Sequence, residues 1–167
     1  MFDFLKKINR KEESKALIKL YAPASGRLLP ITEVADPVFA NKMMGDGYAI
    51  EPEKGEIYAP VSGRVQTIFK TKHAIGLVTA NGAEILLHIG IDTVELDGQP
   101  FTLYVKEGDY VQAGDSLATV DLPALDAAYK GKTVMVLLTN MNELTGFHLT
   151  EKGICEGGQQ VGSVEKY

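Results

Sequence analysis

From Leu17 onward the chain never travels far without meeting a turn residue. Short apolar or alternating runs, at Glu56–Tyr58, Gly63–Phe69, Ile75–Thr79, Glu84–His88, Leu103–Val105, Ser116–Val120 and Thr133–Leu138, are separated by Asn81-Gly82, Asp97-Gly98, Glu107-Gly108-Asp109 and Ala113-Gly114-Asp115. Runs of this length bounded by Gly, Asn and Asp specify strands joined by tight turns. The strand–helix alternation of a parallel α/β sheet is missing. One short helix is predicted at Leu122–Tyr129, with Asp121 as its cap and Pro123 in its first turn. The expected fold is all-β, an antiparallel sandwich or barrel with a few short helices.

The segment Tyr21-Ala-Pro-Ala-Ser-Gly-Arg27 returns as Tyr58-Ala-Pro-Val-Ser-Gly-Arg64. Two copies are too few for a solenoid. They indicate one supersecondary unit used twice within a single core, and 167 residues suit one such domain. The expected organisation is a flexible tail over residues 1–16 and one domain over residues 17–167. The tail is crowded with Lys and Glu. Phe2, Phe4, Leu5 and Ile8 would line one side of a short amphipathic helix, which predicts weak membrane-surface contact through residues 1–10. A net charge of -5 disfavours general nucleic-acid binding. Cys155 is the only cysteine, so no intrachain disulfide forms and a reducing compartment is implied. With no run of ~20 apolar residues and no signal peptide, the expectation is a cytoplasmic protein.

Three histidines carry the chemistry the sequence offers. His88 ends the apolar run Glu84-Ile-Leu-Leu-His88 and enters the turn Ile89-Gly90-Ile91-Asp92-Thr93, where Gly90 removes bulk beside the ring. His73 stands between two strand-like runs, with Thr71 two residues before it on the same face of an extended chain. His148 has no comparable glycine turn after it and reads as structural. A single histidine in a sheet is usually part of the core or its rim. Two at strand–glycine junctions weaken that reading without overturning it. Neutral imidazole is a good nucleophile near pH 7, and a second ring beside it can donate N–H to phosphoryl oxygens.

Four segments, Leu87-His-Ile-Gly-Ile-Asp-Thr-Val-Glu-Leu96, Thr71-Lys72-His73-Ala74, Phe39-Ala-Asn-Lys-Met-Met-Gly-Asp-Gly47 and Tyr58-Ala-Pro-Val-Ser-Gly63, resemble the glucose-type IIA proteins and domains of the bacterial phosphoenolpyruvate-dependent sugar phosphotransferase system. The resemblance spans about residues 17 to 165. It implies an antiparallel β-sandwich with a duplicated hybrid motif, related to biotinyl and lipoyl carriers. It implies a monomeric phosphohistidine carrier that needs no cofactor. His88 would accept a phosphoryl group at Nε2 from the carrier protein HPr and pass it to a cysteine on the IIB domain of a sugar permease. His73 would stabilise that group, Thr71 would orient His73, and the Gly90 carbonyl would hold His88 Nδ1–H. The docking face carried over is Val38, Phe39, Met43, Met44, Phe69, Leu86 and Val94, with the acids Asp36 and Asp92. Phe39 and Phe69 are both expected to be partly exposed and to flank the histidines. Pro37, Met43 and Met44 replace β-branched residues common in some relatives.

Two rivals follow from the same residues. His88-Ile-Gly-Ile-Asp92 matches the H-x-G-x-D pair of zinc peptidases on a related β scaffold, but the H-x-H such a site also needs is missing. A weaker zinc role remains, an ion shared by His73, His88 and a partner protein. Val105-Lys-Glu-Gly-Asp-Tyr-Val-Gln-Ala-Gly-Asp-Ser-Leu117 resembles a biotinyl or lipoyl hairpin, but the lysine that would take the cofactor is absent, so the similarity is one of fold.

Overall fold

The computed structural model describes residues 15–167. The predicted tail and its membrane contact therefore lie outside the described residues, save that Ala16 already pairs with Lys166 in the first strand. Fourteen strands, two short α-helices and three 3-10 turns make up the regular structure of the described residues, and every strand pairing is antiparallel. The strands are β1 (Ala16–Tyr21), β2 (Gly26–Pro30), β3 (Asp46–Pro52), β4 (Glu56–Tyr58), β5 (Gly63–Ile68), β6 (Ala74–Val78) and β7 (Glu84–Ile91), then β8 (Phe101–Leu103), β9 (Tyr110–Val111), β10 (Ser116–Val120), β11 (Gly131–Leu138), β12 (Leu144–Leu149), β13 (Gly153–Cys155) and β14 (Gln160–Lys166). The helices are α1 (Pro37–Ala40) and α2 (Leu122–Ala127).

One eight-stranded sheet runs in the order β13-β2-β3-β11-β7-β6-β5-β9, and two three-stranded sheets run β1-β14-β12 and β4-β10-β8. The main core includes Ile85, Leu87 and Ile89 of β7 with Val134, Val136 and Leu138 of β11. Side chains alternate across a strand, so Met135 and Leu137 point the other way. There they join Leu29, Ile31, Val34, Phe39 and Ala49 in a second, smaller core. β11 is thus covered on both faces, and this is why its sequence is an unbroken apolar run. The same alternation puts Leu86 and His88 on the side of the second core.

The repeated heptapeptide is an internal two-fold. Tyr21 N donates to the Pro60 carbonyl at 2.9 Å, and Tyr58 N donates to the Pro23 carbonyl at 2.8 Å. Ser25 Oγ accepts from Gly157 N and Ser62 Oγ accepts from Ala113 N, each at 2.9 Å. Each copy also grips an equivalent turn: Gly158 N donates to Ala22 O and Gly114 N to Ala59 O, both at 2.9 Å. The turns cap themselves alike, Gln112 N on Asp115 Oδ2 and Glu156 N on Gln159 Oε1. The reuse of one unit expected from the sequence is present down to single hydrogen bonds.

Local expectations hold where the signal is local. Asp121 Oδ1 accepts from Ala124 N at 3.1 Å and caps α2. The helix ends short of Tyr129 because that residue takes a left-handed conformation, φ 58°. The strand expected at Leu103–Val105 lies two residues earlier, at Phe101–Leu103, where it follows directly on Pro100 and pairs with Ala118–Val120.

Candidate functional site

His88 stands on β7 opposite Ala74 of β6 on one side and Met135 of β11 on the other. His73 immediately precedes β6, and its carbonyl accepts from Ile89 N at 2.7 Å. Neighbouring strands therefore bring two residues fifteen apart in sequence into contact. Their ring centroids are 5.0 Å apart and the rings are nearly perpendicular, at 78°. Phe39 covers His88 at 5.0 Å and Phe69 meets His73 edge-on at 5.4 Å.

Each ring is tied back through Nδ1. His88 Nδ1 lies 2.9 Å from the Gly90 carbonyl. A carbonyl only accepts, so the neutral ring carries its proton on Nδ1 and leaves the lone pair on Nε2. His73 Nδ1 lies 2.6 Å from Thr71 Oγ1. The hydroxyl can donate there, which places the His73 proton on Nε2.

The turn after His88 is held from inside. Gly90 takes φ +82°, and a Cβ on it would stand 2.3 Å from Thr93 Cγ2 and 2.8 Å from the Gly131 carbonyl oxygen. Thr93 is fully buried and its hydroxyl donates to the Ile89 carbonyl at 2.6 Å. Thr93 fixes the Ile89–Gly90 peptide and with it the carbonyl that holds His88. The motif contains Thr93, but nothing in the sequence alone assigns it this role. Its signal in the sequence is a threonine five residues after His88.

Burial lowers the pKa of both rings. For His88, loss of solvent is the largest cause and the neighbouring His73 adds to it, against the pull of the Gly90 hydrogen bond and the Asp36 carboxylate. The result is about 4, so His88 is neutral at pH 7. His73 is lowered by burial alone.

The residues expected to form the docking face are exposed in most cases. Val38, Met43, Met44, Phe69 and Val94 are exposed, and Leu86 is half-buried against the second core. Asp36 caps α1 through Val38 N at 2.9 Å, and Asp92 is exposed in the turn after β7. Phe39 departs from expectation. It is only 7% exposed, because α1 folds it down into the second core beneath His88. It flanks His88 as expected, but from inside. His148 is exposed, with Nδ1 3.1 Å from the Gly146 carbonyl. Cys155 is buried and its thiol pKa is raised, first by that burial.

Among the described residues no three His, Cys, Asp or Glu gather as a metal site would require, and the zinc-peptidase alternative finds no support. No helix among them is long and apolar enough to cross a membrane.

Comparison with known proteins shows the family. The family described as phosphoenolpyruvate-dependent sugar phosphotransferase system, EIIA 1, matches residues 18–144. The chain is 40% identical over 159 residues to the glucose-specific EIIA component of Staphylococcus epidermidis, which covers 95% of this chain and 96% of that one. It is 48% identical over 147 residues to the glucose-specific EIICBA component of Streptococcus pneumoniae, where it spans 20% of the longer protein. The glucose permease IIA from Mycoplasma capricolum superposes with a TM-score of 0.80 at 40% identity, over 89% of this chain and 96% of that one. The chain belongs to the EIIA 1 family of the phosphoenolpyruvate-dependent sugar phosphotransferase system and is a phosphoryl-carrying component of it.

Proposed function

We propose that the phosphoryl group is carried on Nε2 of His88, with His73 as its electrostatic partner and Thr71 as the residue that orients His73. The observation that carries this reading is the pair of rings 5.0 Å apart with both Nδ1 atoms engaged, at Gly90 O and Thr71 Oγ1. Two Nε2 atoms are then left for one phosphoryl group, one a lone pair and the other an N–H. A His88 pKa of about 4 keeps that lone pair available at neutral pH.

The donor in this reading is the phosphorylated carrier protein HPr. His88 Nε2 attacks phosphorus as the bond to the donor's histidine breaks, and the donor ring keeps that electron pair. Charge spreads over the three phosphoryl oxygens, and His73 Nε2–H donates to them. The Gly90 carbonyl holds the Nδ1 proton of His88, which keeps the ring a good leaving group. In the onward step a thiolate on the IIB domain of a sugar permease forms the S–P bond, and the N–P electrons return to His88.

The partners would dock on Val38, Met43, Met44, Phe69, Leu86 and Val94, with Asp36 and Asp92 facing basic groups. Phe39 supports that face from below. The chemistry needs no cofactor. His73 and His88 offer a zinc ion only two ligands, so an ion there would draw its others from a partner. Incubation with phosphoenolpyruvate, Enzyme I and HPr, followed by intact mass, is expected to show one added phosphoryl group, absent in His88→Ala. Phosphorylation of His88→Ala to the parent level would overturn the assignment.

A further inference from the structure

We infer that Met43 and Met44 are an oxidisable rim on the docking face, so that a hydroperoxide weakens this carrier's engagement with its phosphoryl donor. The inference rests on the docking reading above. The sulfur of the described chain is distributed unevenly. Met43 is 73% exposed and Met44 37%. Met135 is fully buried in the second core, Met141 packs against the main core, and Cys155 is 2% exposed.

The two exposed thioethers follow closely on the short helix whose Phe39 packs against His88. Met43 N donates to the Val38 carbonyl at 3.2 Å, one turn past the segment that lays Phe39 against His88. The two methionines share their exposure with Val38, beside Phe39 in that segment, and with Phe69, whose ring meets His73. Methionine suits such a surface because it is flexible, polarisable and apolar. Oxidation removes all three advantages at once.

The step is an oxygen transfer. The methionine sulfur attacks the distal oxygen of the hydroperoxide, an S–O bond forms and the O–O bond breaks. Sulfur loses two electrons, the peroxide is reduced, and the departing oxygen takes up a proton to leave as an alcohol or water. The product sulfoxide is a strong acceptor, and docking an apolar partner surface over it would strip it of water. The histidine pair has no part in the oxidation.

The test treats the whole protein with dilute hydrogen peroxide, removes the peroxide, and maps added oxygen by peptide mass. Met43 and Met44 are expected to gain oxygen before Met135 and Met141. The KM for phospho-HPr should then rise about tenfold, the order for burying one polar group without a partner, with kcat and the thermal midpoint kept. Methionine sulfoxide reductase should restore the original KM. In Met43→Leu/Met44→Leu, whatever its own KM, peroxide should leave that KM where it was. The inference falls if oxygen appears first at Met135 or Met141, if the oxidised protein keeps the untreated KM, or if kcat and thermal midpoint fall together. Untreated protein that takes no phosphoryl group on His88 would instead remove the proposed function, and the rim with it.

Discussion

Replacing Gly90 with alanine perturbs the one peptide on which the His88 tautomer depends. Gly90 sits at φ +82°, where a Cβ costs about 1 kcal/mol in backbone energy alone. That Cβ would also stand 2.3 Å from Thr93 Cγ2 and 2.8 Å from the Gly131 oxygen, so packed neighbours must move. Forcing a methyl group into a filled interior typically costs ~1–3 kcal/mol. The combined loss of about 2–4 kcal/mol is a large share of a typical 5–15 kcal/mol total. For a chain of this size it lowers the melting temperature by roughly 5–15 °C. The same displacement carries the Gly90 carbonyl away from His88 Nδ1, now at 2.9 Å. Without that acceptor the neutral ring divides between its two tautomers, and the form with a free Nε2 lone pair is depleted. Thermal melting measures the first effect, nitrogen NMR of the His88 ring the second, and the rate of phosphoryl acceptance from HPr their sum. Adding Thr93→Ser to Gly90→Ala deletes Cγ2 and keeps the hydroxyl, so part of the stability should return. A Gly90→Ala protein that melts and accepts phosphate like the parent would refute the reasoning.

Three further outcomes are expected. His88 has a pKa of about 4 in the fold against an ordinary 6.5, so the folded chain binds fewer protons between those values. Its contribution is fully present above pH 6.5 and is lost as pH falls through about 4. The loss should be about 3 kcal/mol larger in the parent than in His88→Gln by urea unfolding, and equal losses would count against it. His73→Gln keeps a donor near the phosphoryl group but cannot share a proton. It should still be phosphorylated by HPr, while transfer to the IIB cysteine slows by ~10²–10³ in single-turnover kinetics; transfer at the parent rate would make His73 structural. Phe39→Ala empties the space beneath His88 and admits water. The NMR titration of His88 should move up toward 6.5, with a stability loss of about 3 kcal/mol or more, and an unmoved titration would exclude Phe39 as a cause of the depression.

What was legible in the sequence was mostly what adjacent residues decide. Asp121 before Leu122-Pro123 announces its own cap, and Glu84–His88 announces its strand, because the relevant partners are a few positions away. β12, β13 and β14 each contain a glycine, β13 is only three residues long and β14 ends in charge, so none stands out. They are strands because distant partners complete them, as Gly162 and Ser163 do with Leu20 and Lys19. Phe39 shows the same limit at the site. α1 has only four residues, too few for a periodicity to say which side is buried. Its inward turn is decided by Met135, Leu137 and Ala49, which the chain supplies from two other strands. The chemistry-bearing residues were legible through their motifs, but the 5.0 Å approach of the rings is a product of β6–β7 pairing.

The pairing of Ala16 with Lys166 has a consequence for how such a domain is used. Both ends of the described chain leave from the same spot, side by side in one small sheet. Lys166 Cε lies 3.4 Å from where a Cβ on Gly82 would stand, at the turn joining β6 to β7. His73 precedes the far end of β6, whose five residues span roughly 17 Å. The point of suspension and the reactive pair are therefore at opposite ends of one hairpin. A domain built this way can be strung onto a longer polypeptide by either end, or opened at a surface turn and rejoined across its old termini, while the histidines stay clear of the tether. The Streptococcus pneumoniae relative, in which a region like this is one fifth of a larger chain, is compatible with such a single-point mounting.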